Sequence, residues 1–168
     1  GPDTGTPNTD TVSPSDNGSG PSPDVPTATL DSVAGVQAFA EEVGCDSQGI
    51  TLVAPGVSLQ GVVVTSSRFD AFTPDDPAKD GLDGYFVADV TGGDYSGLFV
   101  VISRSEASDY KPGDILNVTG DVEERYCFTQ LMAATHEVTG TGDQPAATEV
   151  TAESLATEAN ESRIVTLK

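Results

Sequence analysis

The chain has 168 residues, enough for one domain with a modest core plus a tail. Its 27 acidic and 7 basic residues give a formal net charge of -20. That balance argues against a nucleic-acid binder or an anionic-membrane binder, since both need clustered Lys and Arg. It suits an exported protein with a solvated acidic surface. No run of 18 apolar residues is present, so no transmembrane helix is expected, and no signal peptide is visible.

Residues 1–27 consist almost entirely of Gly, Pro, Ser, Thr, Asn and Asp, with Val12 and Val25 as the large apolar exceptions. Such a stretch buries too little surface to offset its ordering entropy, so it is expected to be a disordered leader ahead of a domain over 28–168. Leaders of this composition are common in bacterial surface lipoproteins; a plain linker is the alternative. Residues 30–43 place Val33, Val36, Phe39, Ala40 and Val43 on one helical face. Asp31 or Ser32 would act as cap and Gly44 as stop signal, a partly extended segment being the alternative.

From about 50 to 140 the pattern is β. Strands are expected at Ser58–Thr65, Gly84–Val90, Gly97–Ser103, Ile115–Glu124 and Phe128–Thr139, separated by Gly-, Pro- and Asp-rich turns. Glu149–Asn160 reads as a short helix and Ser162–Leu167 as a last strand, which suggests an excerpt of a longer protein. Cys45 and Cys127 are too far apart for a metal motif. In an exported protein they are expected to form a disulfide, with two separate buried thiols as the alternative.

Several of these segments share motifs with a known domain. Leu59-Gln60-Gly61-Val62-Val63-Val64-Thr65, Gly84-Tyr85-Phe86-Val87-Ala88-Asp89 and Ser96-Gly97-Leu98-Phe99-Val100 occur in that order. Pro112-Gly113-Asp114-Ile115-Leu116-Asn117-Val118-Thr119-Gly120-Asp121-Val122, Thr129-Gln130-Leu131 and Ser162–Leu167 follow. This series resembles the OB-like domain of bacterial extracellular endonucleases and related surface lipoproteins. The chain departs from the pattern at Ala88 and at Arg163-Ile164. The resemblance implies a mainly β fold, a five- to six-stranded OB-like barrel with one or two short helices, and an accessory rather than a catalytic role.

The side chains fit a binding module better than an enzyme. One histidine, His136, offers no triad partner, and Ser96 does not sit in a nucleophile elbow. Tyr85, Tyr126, Phe69, Phe72 and Tyr95 are the candidate ligand-binding rings, because barrel faces of this type stack ligands on aromatics. Phe86 and Phe99 are expected in the core. Asp75, Asp76, Asp80 and Asp83 crowd one loop and are the candidate ligands of a calcium ion, although a calcium-loop spacing is absent. The expected function is a non-catalytic module at the bacterial outer surface, in the periplasm or outside the cell, binding or scaffolding a protein or glycan. An accessory substrate-positioning domain of an extracellular nuclease and a calcium-stabilised structural module are the alternatives. A protein or glycan partner is expected ahead of nucleic acid, with a possible lipid anchor upstream and no membrane insertion.

Overall fold

The computed structural model describes Gly1 and residues 30–168, so nearly all of the expected disordered leader lies outside the described residues. Helix α1 (Val33–Val43) opens the described body, and six strands follow: β1 (Ile50–Val64), β2 (Phe69–Phe72), β3 (Leu82–Ala88), β4 (Gly97–Ser103), β5 (Asp114–Arg125) and β6 (Thr129–Thr141). They form one sheet in the order β1-β5-β6-β4-β3-β2. The β4–β6 pairing is parallel and the others are antiparallel. The sheet curls enough for the end of β1 to meet β3 as well, through Val63↔Ala88 and Val64↔Val87. A separate two-stranded parallel sheet joins β7 (Thr148–Val150) to β8 (Val165–Leu167).

The expectation of a mainly β, five- to six-stranded OB-like barrel is corrected to a mixed α/β fold, with a six-stranded sheet and one α-helix among the described residues. Two features drive the difference. The helix belongs to the core, burying Val33, Val36 and Ala40 almost completely. A short strand unforeseen in the sequence, β2, extends the sheet to an open edge beyond β3.

Alternation sets the core. Leu59, Tyr85, Val87, Leu98, Val100, Leu116, Val118, Val122 and Leu131 project inward and are essentially solvent-free. Strand β1 is longer than expected because Pro55-Gly56 does not end it. Gly56 has φ 63°, a left-handed conformation suited to glycine, and donates its N–H to Asp121 Oδ1 at 2.9 Å. The pairing with β5 slips there as a bulge, which is where a strand tolerates proline. The expected helix over Glu149–Asn160 is replaced by β7 and two single-turn 3-10 segments. Thr151 and Ser154 hydrogen-bond each other's backbone and side chains, which competes with continuous helix.

The docking of α1 depends on one long-range cap. Ser32 Oγ accepts from the N–H of Gly35, as a local N-cap does. Asp89, at the end of β3, accepts from the N–H groups of Val33 and Ala34 at 3.0 and 2.9 Å. A carboxylate there satisfies two orphan donors and complements the helix dipole. Asp89→Ala is expected to cost about 1–2 kcal/mol. Urea unfolding with an unchanged m-value checks this; a loss below about 0.3 kcal/mol would show that Ser32 alone suffices.

Candidate functional site

The outer face of β3, β4 and β6 carries an aromatic cluster. Strand register places Phe86 opposite Phe99 and Phe99 opposite Gln130 on that face. Phe69 lies 5.7 Å from both Phe86 and Phe99 and stacks almost parallel to the latter, at 8°. Phe99 continues the contact to Phe86 at 5.2 Å and to Phe128 at 5.5 Å. Gly84 makes room for this. A Cβ there would come within 2.4 Å of the Phe99 ring, so glycine at this position lets the ring lie across β3.

Beside the cluster runs a groove of about 470 Å³. Strand order sets Phe72 and Leu82, on β2 and β3, to one side of it and Tyr126 and Phe128, at the β5–β6 hairpin, to the other, with Phe99 and Val101 of β4 between them as its floor. Arg125 and Gln130 supply its polar groups. Phe72 is 57% and Tyr126 62% exposed, so both rings stand at the rim in water.

The far wall is a tight hairpin turn. Arg125 and Phe128 exchange backbone hydrogen bonds, leaving Tyr126 and Cys127 as the two turn residues. Their φ angles are 55° and 61°, which favours Asn or Gly over the residues present. Two further ties hold the turn. Tyr126 N–H donates to Gly49 O at 2.9 Å, and the expected disulfide, Cys45–Cys127, is formed, with its Cα atoms 5.0 Å apart. The chain just beyond α1 thus anchors the wall of the groove.

The structure sorts the candidate rings. Phe72 and Tyr126 line the groove, and Phe69 stacks on its aromatic neighbours. Tyr85 is fully buried, 4.6 Å from Tyr110, and burial raises its pKa far above the ordinary tyrosine value. Tyr95 lies elsewhere, where its hydroxyl donates to Glu41 on α1 at 2.6 Å and its N–H to Ala159 O. Phe86 and Phe99, expected in the core, are half-buried on the outer face instead. Sequence reasoning missed Arg125 and Phe128, although both flank Cys127 in the Arg-Tyr-Cys-Phe run.

The four aspartates do not converge on a common point. Asp83 is 6% exposed and pairs with Arg68 at 3.1 Å and Arg104 at 2.8 Å. Asp80 accepts from Ser103 and Ser105, whose hydroxyls hold its carboxyl down at about 2. Asp76 accepts from the N–H of Ala78, and Asp75 is exposed. Among the described residues, no group of three or more His, Cys, Asp or Glu is placed to hold a metal ion. Arg104 is what organises this loop. It reaches Asp70, Asp83, Thr73 and the carbonyl of Phe72, and so fastens β2 to the sheet. His136 is half-buried against Tyr110, and burial lowers its pKa.

No family model matches this chain, and neither a curated protein nor a solved structure matches it. The resemblance to OB-like domains of endonucleases and surface lipoproteins is corrected accordingly: short motifs shared in order are generic strand-and-turn patterns unless a match over the whole chain supports them. The accessory-nuclease reading rested on that resemblance and goes no further.

A second polar cluster lies under the C-terminal segment. Glu161 Oε1 accepts from the N–H of Thr129 at 3.0 Å and from Gln37 Nε2 at 3.4 Å. Burial, with Glu158 and Glu124 nearby, pushes the Glu161 carboxyl up to about 7. A raised carboxyl binds its proton more tightly folded than unfolded, so this group destabilises the fold as pH rises from about 4.5 through 7. Glu161→Gln is therefore expected to flatten the fall of Tm over that window and to raise Tm at pH 8. Parallel Tm profiles for the two proteins would contradict this.

Proposed function

We propose that this chain is a non-catalytic binding module, acting outside the cell or at a bacterial surface, that holds a protein or glycan partner in the aromatic groove. The observation that carries this reading is the pair of exposed rings, Phe72 and Tyr126, that line one apolar groove from opposite sides of β4. Exposing large rings costs solvation free energy, about 25 cal/mol per Å² of apolar surface that a partner would bury. A soluble chain does not need such rings at a concave rim, and concave apolar sites with a few placed polar groups are where ligands bind.

Rigidity supports the same reading. Phe72 stands on a strand fastened by Arg104, and Tyr126 on a turn fastened by the disulfide. Backbone already held in place on both sides loses little conformational entropy when a ligand arrives. The disulfide also fits an oxidising location, which supports the extracellular, periplasmic or outer-surface assignment. The acidic surface disfavours polyanions, leaving neutral glycans and polypeptides as the partner classes.

The test is an amide-shift NMR titration of the full chain with neutral oligosaccharides and with apolar hexapeptides. Shifts confined to residues 69–72, 99–101 and 125–130 are expected with one of the two classes. Phe72→Ala combined with Tyr126→Ala should weaken that binding at least about tenfold while leaving Tm nearly unchanged, since both rings are mostly exposed. Shifts that fall elsewhere, or affinity indifferent to the double substitution, would refute the groove as the binding site.

A further inference from the structure

The polar groups of the groove narrow its ligand. Arg68, Arg104 and Arg163 all make ion pairs with aspartates. Arg125 is the one arginine that makes none with the described residues, and it lines the groove. A chain of net charge -20 has carboxylates to spare, so an arginine with no ion pair among the described residues, lining a groove that aromatic side chains also line, is a conspicuous exception. Its planar fork matches a carboxylate through two parallel hydrogen bonds.

Gln130 adds an acceptor. It is 4% exposed, and its amide N–H groups donate to Glu123 at 2.6 Å and to the sulfur of Met132 at 3.3 Å. Its carbonyl oxygen receives no hydrogen bond from the described residues, so it is available to an N–H entering the groove. The third feature is β2. It pairs with β3 on one side only, and among the described residues no strand pairs with its outer edge. Ala71 and Phe72 of this strand line the groove. An open edge at the rim of an apolar groove accepts an extended polypeptide, main chain to main chain, and the end of that chain can cross the rim into the groove.

Resting on the groove as the binding surface, we infer that its occupant is the free carboxyl end of an extended polypeptide whose last side chain is aromatic or large and aliphatic. The terminal carboxylate meets Arg125, the last side chain lies between Phe72 and Tyr126, and the preceding residues run along β2. A glycan would use the rings but leave the β2 edge unused and require more polar groups than Arg125 and Gln130. Long-range repulsion from the acidic surface is largely screened beyond about 8 Å at physiological salt, so the local contact decides.

The test uses the full chain and an acetylated tripeptide ending in phenylalanine, as the free acid and as the C-terminal amide, followed by NMR. The acid should bind about tenfold or more tightly than the amide, shift residues 125–130, and slow hydrogen exchange at the backbone amides of 69–72. Arg125→Gln should abolish the difference between acid and amide, and Arg125→Lys should restore part of it. The Arg125 side chain makes no ion pair with the described residues, so both variants should keep the parent Tm. Equal binding of acid and amide in the groove would overturn the carboxylate recognition and leave the binding module standing. Silence with both peptides, with groove shifts from oligosaccharides or glucuronic acid, would overturn the polypeptide ligand alone. Silence of the groove toward every probe would remove both readings.

Discussion

The geometry of the groove depends on holding two ordinary residues, Tyr126 and Cys127, in a left-handed turn. Each such residue costs roughly 1–2 kcal/mol relative to its preferred backbone. The Cys45–Cys127 bond closes a loop with a sequence separation of 82. Closing a loop of that order stabilises the folded chain by about 4–5 kcal/mol on the chain-entropy model. The cross-link therefore outweighs the strain of the turn it holds. Asparagine and glycine would make the same turn more cheaply but would place no ring at the rim, and the arrangement sets the tyrosine there instead.

Charge works in a comparable way on the opposite wall. The loop between β1 and β3 is rich in aspartate, which in isolation reads as a solvated segment or a cation site. Arg68, near the start of that loop, and Arg104, just after β4, meet on the buried Asp83. Arg104 also binds Asp70 and the carbonyl of Phe72. The negative charge of the loop is thus used to dock a four-residue edge strand whose side chains are all exposed and whose own burial contributes little. The aromatic floor between the two walls is a sheet face rather than a core, because Gly84 lets Phe99 lie flat over β3.

Much of the fold was legible where alternation is strong. The limits of β4 were read without error because its apolar run ends at Gly97 and Ser103, and β5 and β6 were read within about two residues, β5 from its alternation of apolar and polar side chains. Parity went wrong in β3. Neighbouring residues of a strand point to opposite faces, so Tyr85 and Phe86 cannot both face inward, and the structure buries the tyrosine. That one-residue choice exchanged a candidate ring for a core ring and moved Phe86 out with Phe99. Strand β2 was illegible because its cause, Arg104, lies more than thirty residues downstream of Asp70. The start of β1 was hidden by Pro55-Gly56, which reads as a turn and folds as a bulge against β5. The outlying Tyr95 could not be told from Tyr126 by type or by flanking residues; the partners that separate them, Glu41 and Gly49, are distant in sequence from both.

If the disulfide sets the groove by fixing the Tyr126-Cys127 turn, reducing it releases one wall of the groove. The direct measurement is the pattern of ring-to-ring nuclear Overhauser effects among Phe99, Phe128 and Tyr126 in the oxidised and the reduced protein. Reduction is expected to erase the Phe128–Phe99 contacts and broaden Tyr126, while the amides of β3, β4 and β5 keep their protection from exchange. An unchanged set of ring contacts after reduction would contradict it, and would assign the turn to the β5–β6 hairpin alone.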